Sequence, residues 1–362
     1  MSGVYIHIPF CKSRCRYCDF YSTTALQQRQ AYTEAIRQEA EARVAEMDGV
    51  RTVYMGGGTP SLLEVADIER LLSAVKADRA EEVTLEANPG DLDKDNLNHL
   101  RNIGINRLSI GIQSFSDTNL KLLGRRHTAE EAVNAVKMAQ EAGFSNLSID
   151  LMYALPQSRQ EEDLKRWQHD LETAFSLGIQ HLSCYCLSYE NGTRMTQMLE
   201  EGKLKETDED TANRMYDTLC DEAYRNGFEH YEISNFSLPG KQSLHNSNYW
   251  NHTPYVGLGA GAHSYDGKHI RRANINNIEQ YIASPTTTYT TEYLTDTDIY
   301  NEKIMLSLRT AKGIDFNELP PAQSHKAQEY ISRRLLKRDN NRLSATREGI
   351  HILNLIIEDL MI

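Results

Sequence analysis

No run of about 20 consecutive apolar residues occurs in the 362-residue chain, so a membrane-spanning helix is not expected. The opening MSGVYIHIPF carries no long apolar signal core, and a cytoplasmic location is the expectation. Basic charge is scarce: 39 Lys and Arg against 51 Asp and Glu give a formal charge of -12, which disfavours nucleic acid and anionic membrane as nonspecific partners. A disulfide framework is missing too. Three of the six cysteines fall between positions 11 and 18, while Cys184, Cys186 and Cys220 lie far downstream. The glycine cluster at 56–58 lacks the GxGxxG spacing of a dinucleotide fold.

What the chain does have is apolar content of 40%, enough for a large core divided over two or three domains without metal or disulfide staples. Val4 to Ile8 reads as a short strand that Pro9 ends, so the strand empties directly into the cysteines. Residues 25 to 47 follow with helical spacing. TVYM, VTLE, RLSIGIQ, NLSIDLMY and HLSCYCL repeat the strand pattern, separated by helices near 62–76, 92–102, 116–122, 129–142 and 160–177. Six or so such alternations predict a parallel sheet joined by crossover helices. A complete or partial barrel would gather Cys11, Gly56, Glu86, Gln113 and Asp150, all near the carboxyl ends of strands; an open doubly wound sheet is the alternative.

From about 188 the rhythm becomes irregular, with a helix near 208–226, the strand-like HYEISNF and the segment LHNSNYWNHTPYVGLGAGAHSY. Its glycines predict close approach of backbone to a cofactor or to another loop. A small C-terminal module is expected to be helical through 299–309 and 322–338, with a short turn and a final helix beyond. The domain expectation is therefore 1–190, 191–295 and 296–362.

CKSRCRYC supplies three thiolates, soft ligands suited to an iron-sulfur cluster. Three ligands for four irons leave one iron open. Packing as free thiols is the bland reading, but Lys12, Arg14 and Arg16 make a dry interior loop a poor choice. Zinc on three cysteines with His7 is the other reading, although CxxxCxxC is unlike the usual paired knuckles.

CxxxCxxC directly after a first strand, with Tyr17 before the third cysteine, resembles the signature of radical S-adenosylmethionine (SAM) proteins. The longer run YIHIPFCKSRCRYCDF resembles the branch that holds oxygen-independent coproporphyrinogen III oxidases and the HemW heme chaperones, and the likeness covers nearly the whole chain. It implies an α/β fold: a partial (β/α)6 TIM-like radical SAM barrel with a small, mainly helical C-terminal domain, for which a winged-helix arrangement is one option. It also implies a [4Fe-4S] cluster on Cys11, Cys15 and Cys18, whose open iron takes the amino and carboxylate groups of SAM. One electron from a donor protein then releases methionine and a 5'-deoxyadenosyl radical.

The same resemblance assigns Tyr5, Tyr17, Gly56, Gly57, Gly58, Thr59, Glu86, Gln113, Arg125 and Asp150 to cofactor binding. The chemistry is compatible: glycines let backbone approach a small ligand, Arg125 can grip a carboxylate, and Gln113 and Asp150 can bond ribose hydroxyls. Arg126 takes the place of Arg125 if the register is one residue off.

The resemblance then splits. The coproporphyrinogen oxidases carry a further cysteine two residues after the third, where this chain has Phe20, and they have an extended segment ahead of the cluster. HNSNYW, with His245, Asn246, Tyr249 and Trp250, resembles the HNxxYW motif of the heme chaperones. An imidazole can ligate heme iron and the aromatics can cover a macrocycle, with His245 the first choice of ligand and His252 and His263 the alternatives. The implied function is a heme chaperone that delivers heme to hemoproteins, respiratory enzymes first. Peripheral contact with membrane-bound clients and a homodimer are both compatible with it. The alternative is a coproporphyrinogen III dehydrogenase making protoporphyrinogen IX, so enzymatic turnover stays open at this point.

Overall fold

A computed structural model describes residues 3–156 and 160–362. Strands β1 (Gly3–Ile8), β2 (Thr52–Gly57), β3 (Glu82–Ala87), β4 (Arg107–Gln113), β5 (Leu147–Tyr153) and β6 (His181–Cys186) lie side by side in sequence order and all run parallel. Each is buried on both faces, which explains their nearly continuous apolar sequences. The crossovers are α1 (Arg29–Ala42), α2 (Val65–Ala74), α3 (Lys94–Asn102), α4 (Asp117–Leu123) with α5 (Ala129–Glu141), and α6 (Gln160–Ser176). Local chemistry sets their ends: a capping box of Thr128 and Glu131 starts α5, and Gly124, left-handed at φ 76°, stops α4.

The six strands do not close on themselves. After α7 (Arg194–Glu200) and α8 (Glu209–Arg225), the hairpin β7 (Glu229–Glu232) and β8 (Asn235–Ser237) covers the free edge of β6. A short helix α9 (Leu244–Trp250) leads into β9 (Tyr255–Leu258), which runs parallel to β1 on its other edge. Antiparallel strands β10 (His263–Tyr265) and β11 (Ile270–Asn274) extend the sheet; α10 (Ile278–Ala283) precedes the edge strand β12 (Tyr289–Tyr293). The result is a partial barrel within a twelve-stranded sheet.

The extension is braced by one carboxylate. Glu39 on α1 is fully buried and accepts from Arg43, Arg272, the Asn274 side chain, the Gly259 N–H and, at 2.6 Å, the Tyr281 hydroxyl. The glycines of GLGAG are required by close approach: a Cβ on Gly259 would lie 2.7 Å from the His7 carbonyl oxygen, and one on Gly257 would lie 1.9 Å from that of His263. These approaches supply the contact with another loop and strand that the glycines were expected to allow.

The C-terminal elements share a core of their own: α11 (Asp296–Leu308), β13 (Ile314–Asp315), α12 (Pro321–Ser332), β14 (Leu336–Asp339), β15 (Arg342–Ala345), α13 (Arg347–Ile350) and α14 (Leu353–Leu360). Helices with a three-stranded wing make this module. The expected helix over 322–338 is corrected here: α12 stops at Ser332, and 336–345 form a hairpin turned at Asn340, whose φ is 52°. Among the described residues no helix is long and apolar enough to cross a membrane.

Candidate functional site

Strand β1 delivers the cysteine loop to the carboxyl edge of the sheet, and backbone bonds fix the loop there. Cys11 N–H donates to Thr23 (2.9 Å), Arg16 N–H to Leu123 (3.0 Å), and the Arg16 carbonyl accepts from Met195 (2.7 Å). All three cysteines are free and half-buried, and they line one cavity of about 410 Å³. Burial pushes the Cys18 thiol up to about 11 and raises Cys11 as well. Thiols in this setting become thiolates only with a cationic partner, such as a metal centre or Arg125. Arg125 Nη1 donates to Cys15 Sγ at 3.3 Å.

His7, the candidate fourth ligand for zinc, is engaged elsewhere. Its Nδ1 meets the Tyr5 hydroxyl at 2.9 Å and its Nε2 the Tyr21 carbonyl at 3.0 Å. The GGGTP turn lies against this strand: Gly58 N–H donates to the Ile8 carbonyl (2.8 Å), and a Cβ on Gly57, at φ 109°, would fall 2.4 Å from the His7 ring. These two glycines are demanded by the packing as well as by any ligand.

The remaining strand ends complete the wall. Glu86 accepts from the Tyr54 hydroxyl (2.7 Å) and Gly57 N–H (3.1 Å), and Asp150 from the Ser109 hydroxyl (3.2 Å). Gln113 sits at φ 74° where β4 slips register against β5, a rare conformation for a residue with a side chain and one concentrated at functional sites. Arg125 follows the Gly124 turn and donates to Asn88 Oδ1 and the Gly111 carbonyl, with its buried Nε unpartnered. Arg126 points outward onto Asp91 (2.9 Å), so of the two arginines it is Arg125 that lines this cavity.

Tyr17, Gly57, Gly58, Thr59, Glu86, Gln113, Arg125 and Asp150 therefore share the cavity with the three cysteines, whereas Tyr5 and Gly56 stand behind its wall. Sequence reasoning missed Asn88, which donates to Thr59 Oγ1 (2.9 Å), and Tyr185 and Cys186 at the end of β6. Their positions at or just beyond strand ends were the available signal.

The donor set fits the implied cofactors. Among the described residues no three His, Cys, Asp or Glu side chains close on a single ion-sized point; the three thiols instead ring a cavity that also offers carboxylates and Arg125. Desolvation raises Glu86 to about 7 and Asp150 to about 6. Because these carboxyls bind protons more tightly folded than unfolded, ionising them costs the empty protein stability as pH rises, with Glu86 contributing on the order of 3 kcal/mol between its unfolded and folded values. A cation such as a sulfonium or ammonium group needs them charged. SAM affinity measured by calorimetry should therefore fall severalfold from pH 8 to pH 6, and Glu86→Gln should raise the melting temperature of the empty protein at pH 8 while weakening the cofactor. Affinity independent of pH would contradict this.

The HNSNYW residues sit at the other end of the strands. His245 is 1% exposed, with Nδ1 3.0 Å from Thr52 Oγ1 and Nε2 2.9 Å from the Tyr249 hydroxyl. Thr52 and its partner Gly3 begin β2 and β1, so α9 seals the amino ends. The Glu82 carboxylate, at the start of β3, receives the N–H groups of Leu244 and His245 (2.9 Å each). Asn246, Tyr249 and Trp250 are half-buried on the same helix.

Comparison with known proteins follows the same lines. The Radical SAM superfamily profile matches residues 5–167 and that of the HemN C-terminal domain residues 294–352. The heme chaperone HemW of Lactococcus lactis is 35% identical over 100% of this chain and 97% of its own length. HemW of Bacillus subtilis is 34% identical over 87% of the chain and 85% of its own, and HemW of Escherichia coli 36% over 74% and 72%. In structure, the coproporphyrinogen III oxidase HemN of Escherichia coli superposes with a TM-score of 0.82 over 99% of this chain and 89% of its own, at 22% identity, a likeness of fold.

Proposed function

Given that the chain belongs to the HemW family of radical SAM proteins, we propose that it binds heme alongside a SAM-coordinating [4Fe-4S] cluster and hands heme to client hemoproteins, respiratory enzymes first. The observation that carries this reading is the 35% identity with a heme chaperone over 100% of this chain and 97% of that one. The cluster loop adds support. The residue two places after Cys18 is Phe20, 68% exposed on the rim of the cavity, so that position offers an apolar surface and no further thiol.

Cys11, Cys15 and Cys18 would hold three corners of the cluster, and the cavity wall would hold the cofactor. Gly57, Gly58 and Thr59 offer backbone and hydroxyl groups to its amino end, Glu86 a negative charge, Arg125 a partner for its carboxylate, and Gln113 and Asp150 acceptors for its ribose. When bound, cluster and SAM supply one-electron chemistry that needs an external electron donor. The protein positions them and keeps water from the sulfonium. A cytoplasmic location, a homodimer and contact with membrane-bound clients belong to the same proposal.

Heme titration of cluster-loaded protein should give a saturable absorbance band at one heme per chain, and heme should pass from the protein to a heme-free respiratory enzyme. No saturable binding would remove the reading. Protoporphyrinogen IX formation from coproporphyrinogen III, with SAM and reductant under anaerobic conditions, would replace it with the dehydrogenase.

A further inference from the structure

A cysteine sulfur that receives a hydrogen bond carries negative charge more easily, so donors aimed at the ligands of an iron-sulfur centre make it easier to reduce. Donors of this kind reach the cysteines from outside their loop. Arg125 Nη1 donates to Cys15 Sγ at 3.3 Å, and the Thr59 hydroxyl to Cys11 Sγ at 3.7 Å. They stand on different connections: Thr59 follows β2, and Arg125 follows α4. Holding both on target needs a group that touches both.

Asn88 is that group. Its Oδ1 accepts from Arg125 Nη2, and its Nδ2 donates to Thr59 Oγ1 at 2.9 Å. Arg125 can only donate, so the amide oxygen must face it and the amide nitrogen must face Thr59. The polarity matters. A hydroxyl that accepts from the amide has its own proton left for the sulfur, so the series from Asn88 through Thr59 to Cys11 points toward the thiol. On the other side, the amide oxygen takes one guanidinium nitrogen and leaves the other for Cys15. A carboxylate at this position could accept from Arg125 but could not donate to Thr59, and an apolar side chain could do neither.

The backbone holds Asn88 in place. It comes directly after β3 and before Pro89, which confines it to extended backbone (φ -96°, ψ 143°), and its carbonyl accepts from the Asp91 N–H at 3.0 Å. Asn88 lines both the cofactor cavity and a smaller pocket of about 200 Å³ bordered by Lys12 and Arg126, as do Cys15, Thr59 and Arg125. These residues are thus the partition between the two spaces. We propose that Asn88 is a positioning residue: it aims Thr59 and Arg125 at the ligand sulfurs, which raises the reduction potential of the cluster, and holds the guanidinium ready for the carboxylate of SAM. The proposal rests on the cluster reading of the three cysteines and adds to it the group that tunes the centre from one residue further out.

The test is an anaerobic redox titration of the reconstituted full chain followed by EPR, with SAM affinity measured by calorimetry on the same preparations. Asn88→Leu, close in shape and without polar side-chain atoms, should keep its iron and sulfide. Its reduced fraction at a fixed potential should fall about tenfold, a shift of about 59 mV for one electron, and its SAM affinity should fall severalfold. Asn88→Gln, which keeps an amide farther out on a longer side chain, should shift both in the same direction by less, and it serves should the leucine variant load poorly. Because Asn88 acts through its neighbours, adding Asn88→Leu to Arg125→Leu should cost little further SAM affinity. Adding it to Thr59→Val should move the potential less than Asn88→Leu does alone. Unchanged potential and SAM affinity in Asn88→Leu, or in Asn88→Gln where only that variant loads, overturns the proposal, as do effects that simply add to those of Thr59→Val and Arg125→Leu. Failure of the unmodified chain to take up iron and sulfide would instead overturn the cluster reading, and this role with it.

Discussion

Replacement of Cys15 by serine is expected to reduce cluster content after anaerobic reconstitution to near the background of iron and sulfide, and to abolish SAM binding with it. The physical reason is the economy of the donor set. In the proposed reading three thiols on one short loop would hold the cluster, while Glu86 and Asp150 in the same cavity are already committed to hydrogen bonds with Tyr54 and Ser109. Cys15 is also the cysteine that Arg125 touches, at 3.3 Å, so its replacement also changes the partner of that half-buried guanidinium. Cys186 supplies the control. It lines the same cavity but lies outside the loop, at the end of β6, and Cys186→Ser should retain full iron and sulfide. Full cluster content in Cys15→Ser, or zinc in the anaerobically purified protein, would defeat the proposal that the loop grips a cubane.

The second large effect lies at the opposite end of the strands. Glu82→Ala should destabilise the fold by about 3–5 kcal/mol, the usual cost of leaving a buried charge without its partner. Arg107 is 2% exposed, and its Nε, 3.9 Å from Glu82, makes no hydrogen bond. The same carboxylate terminates the amino end of α9 through two main-chain N–H groups, where a negative charge is favoured by the helix dipole. His245→Ala should cost less, about 2 kcal/mol, by taking the imidazole partner from the Tyr249 hydroxyl and leaving Thr52 Oγ1 with Asn248 alone. Urea denaturation of both variants checks the ranking; a change below about 1 kcal/mol in Glu82→Ala would show that α9 and the strand ends are held in another way.

The contrast between the two ends explains what could be read from sequence. The cluster loop and the strand ends were legible because each polar residue sits at or just past a run whose periodicity marks a strand, and neighbouring parallel strands keep their ends together. Glu86, Gln113 and Asp150 came together for that reason, and Asn88, just past the end of β3, carried the same signal. The histidine of HNSNYW is a different case. Its partners Thr52 and Glu82 are 193 and 163 residues away, and nothing in the local pattern says that α9 turns down onto the amino ends. Nor did periodicity decide whether the sheet closes, since that depends on β9 reaching the open edge of β1 first. The first residues of the wing, 336–338, read as a continuation of the helix because its strands are four residues each and follow α12 without a glycine or proline to mark the break.

The brace around Glu39 bears on how the chain is made. That carboxylate emerges from the ribosome with α1, yet its donors on residues 259, 272, 274 and 281 are translated more than two hundred codons later. Until then a negative charge destined for complete burial must stay hydrated, and the outer flank of the first strand has no neighbour. The opening third of the polypeptide thus gains its final edge and the full set of bonds to Glu39 only after residues 255–281 have been made.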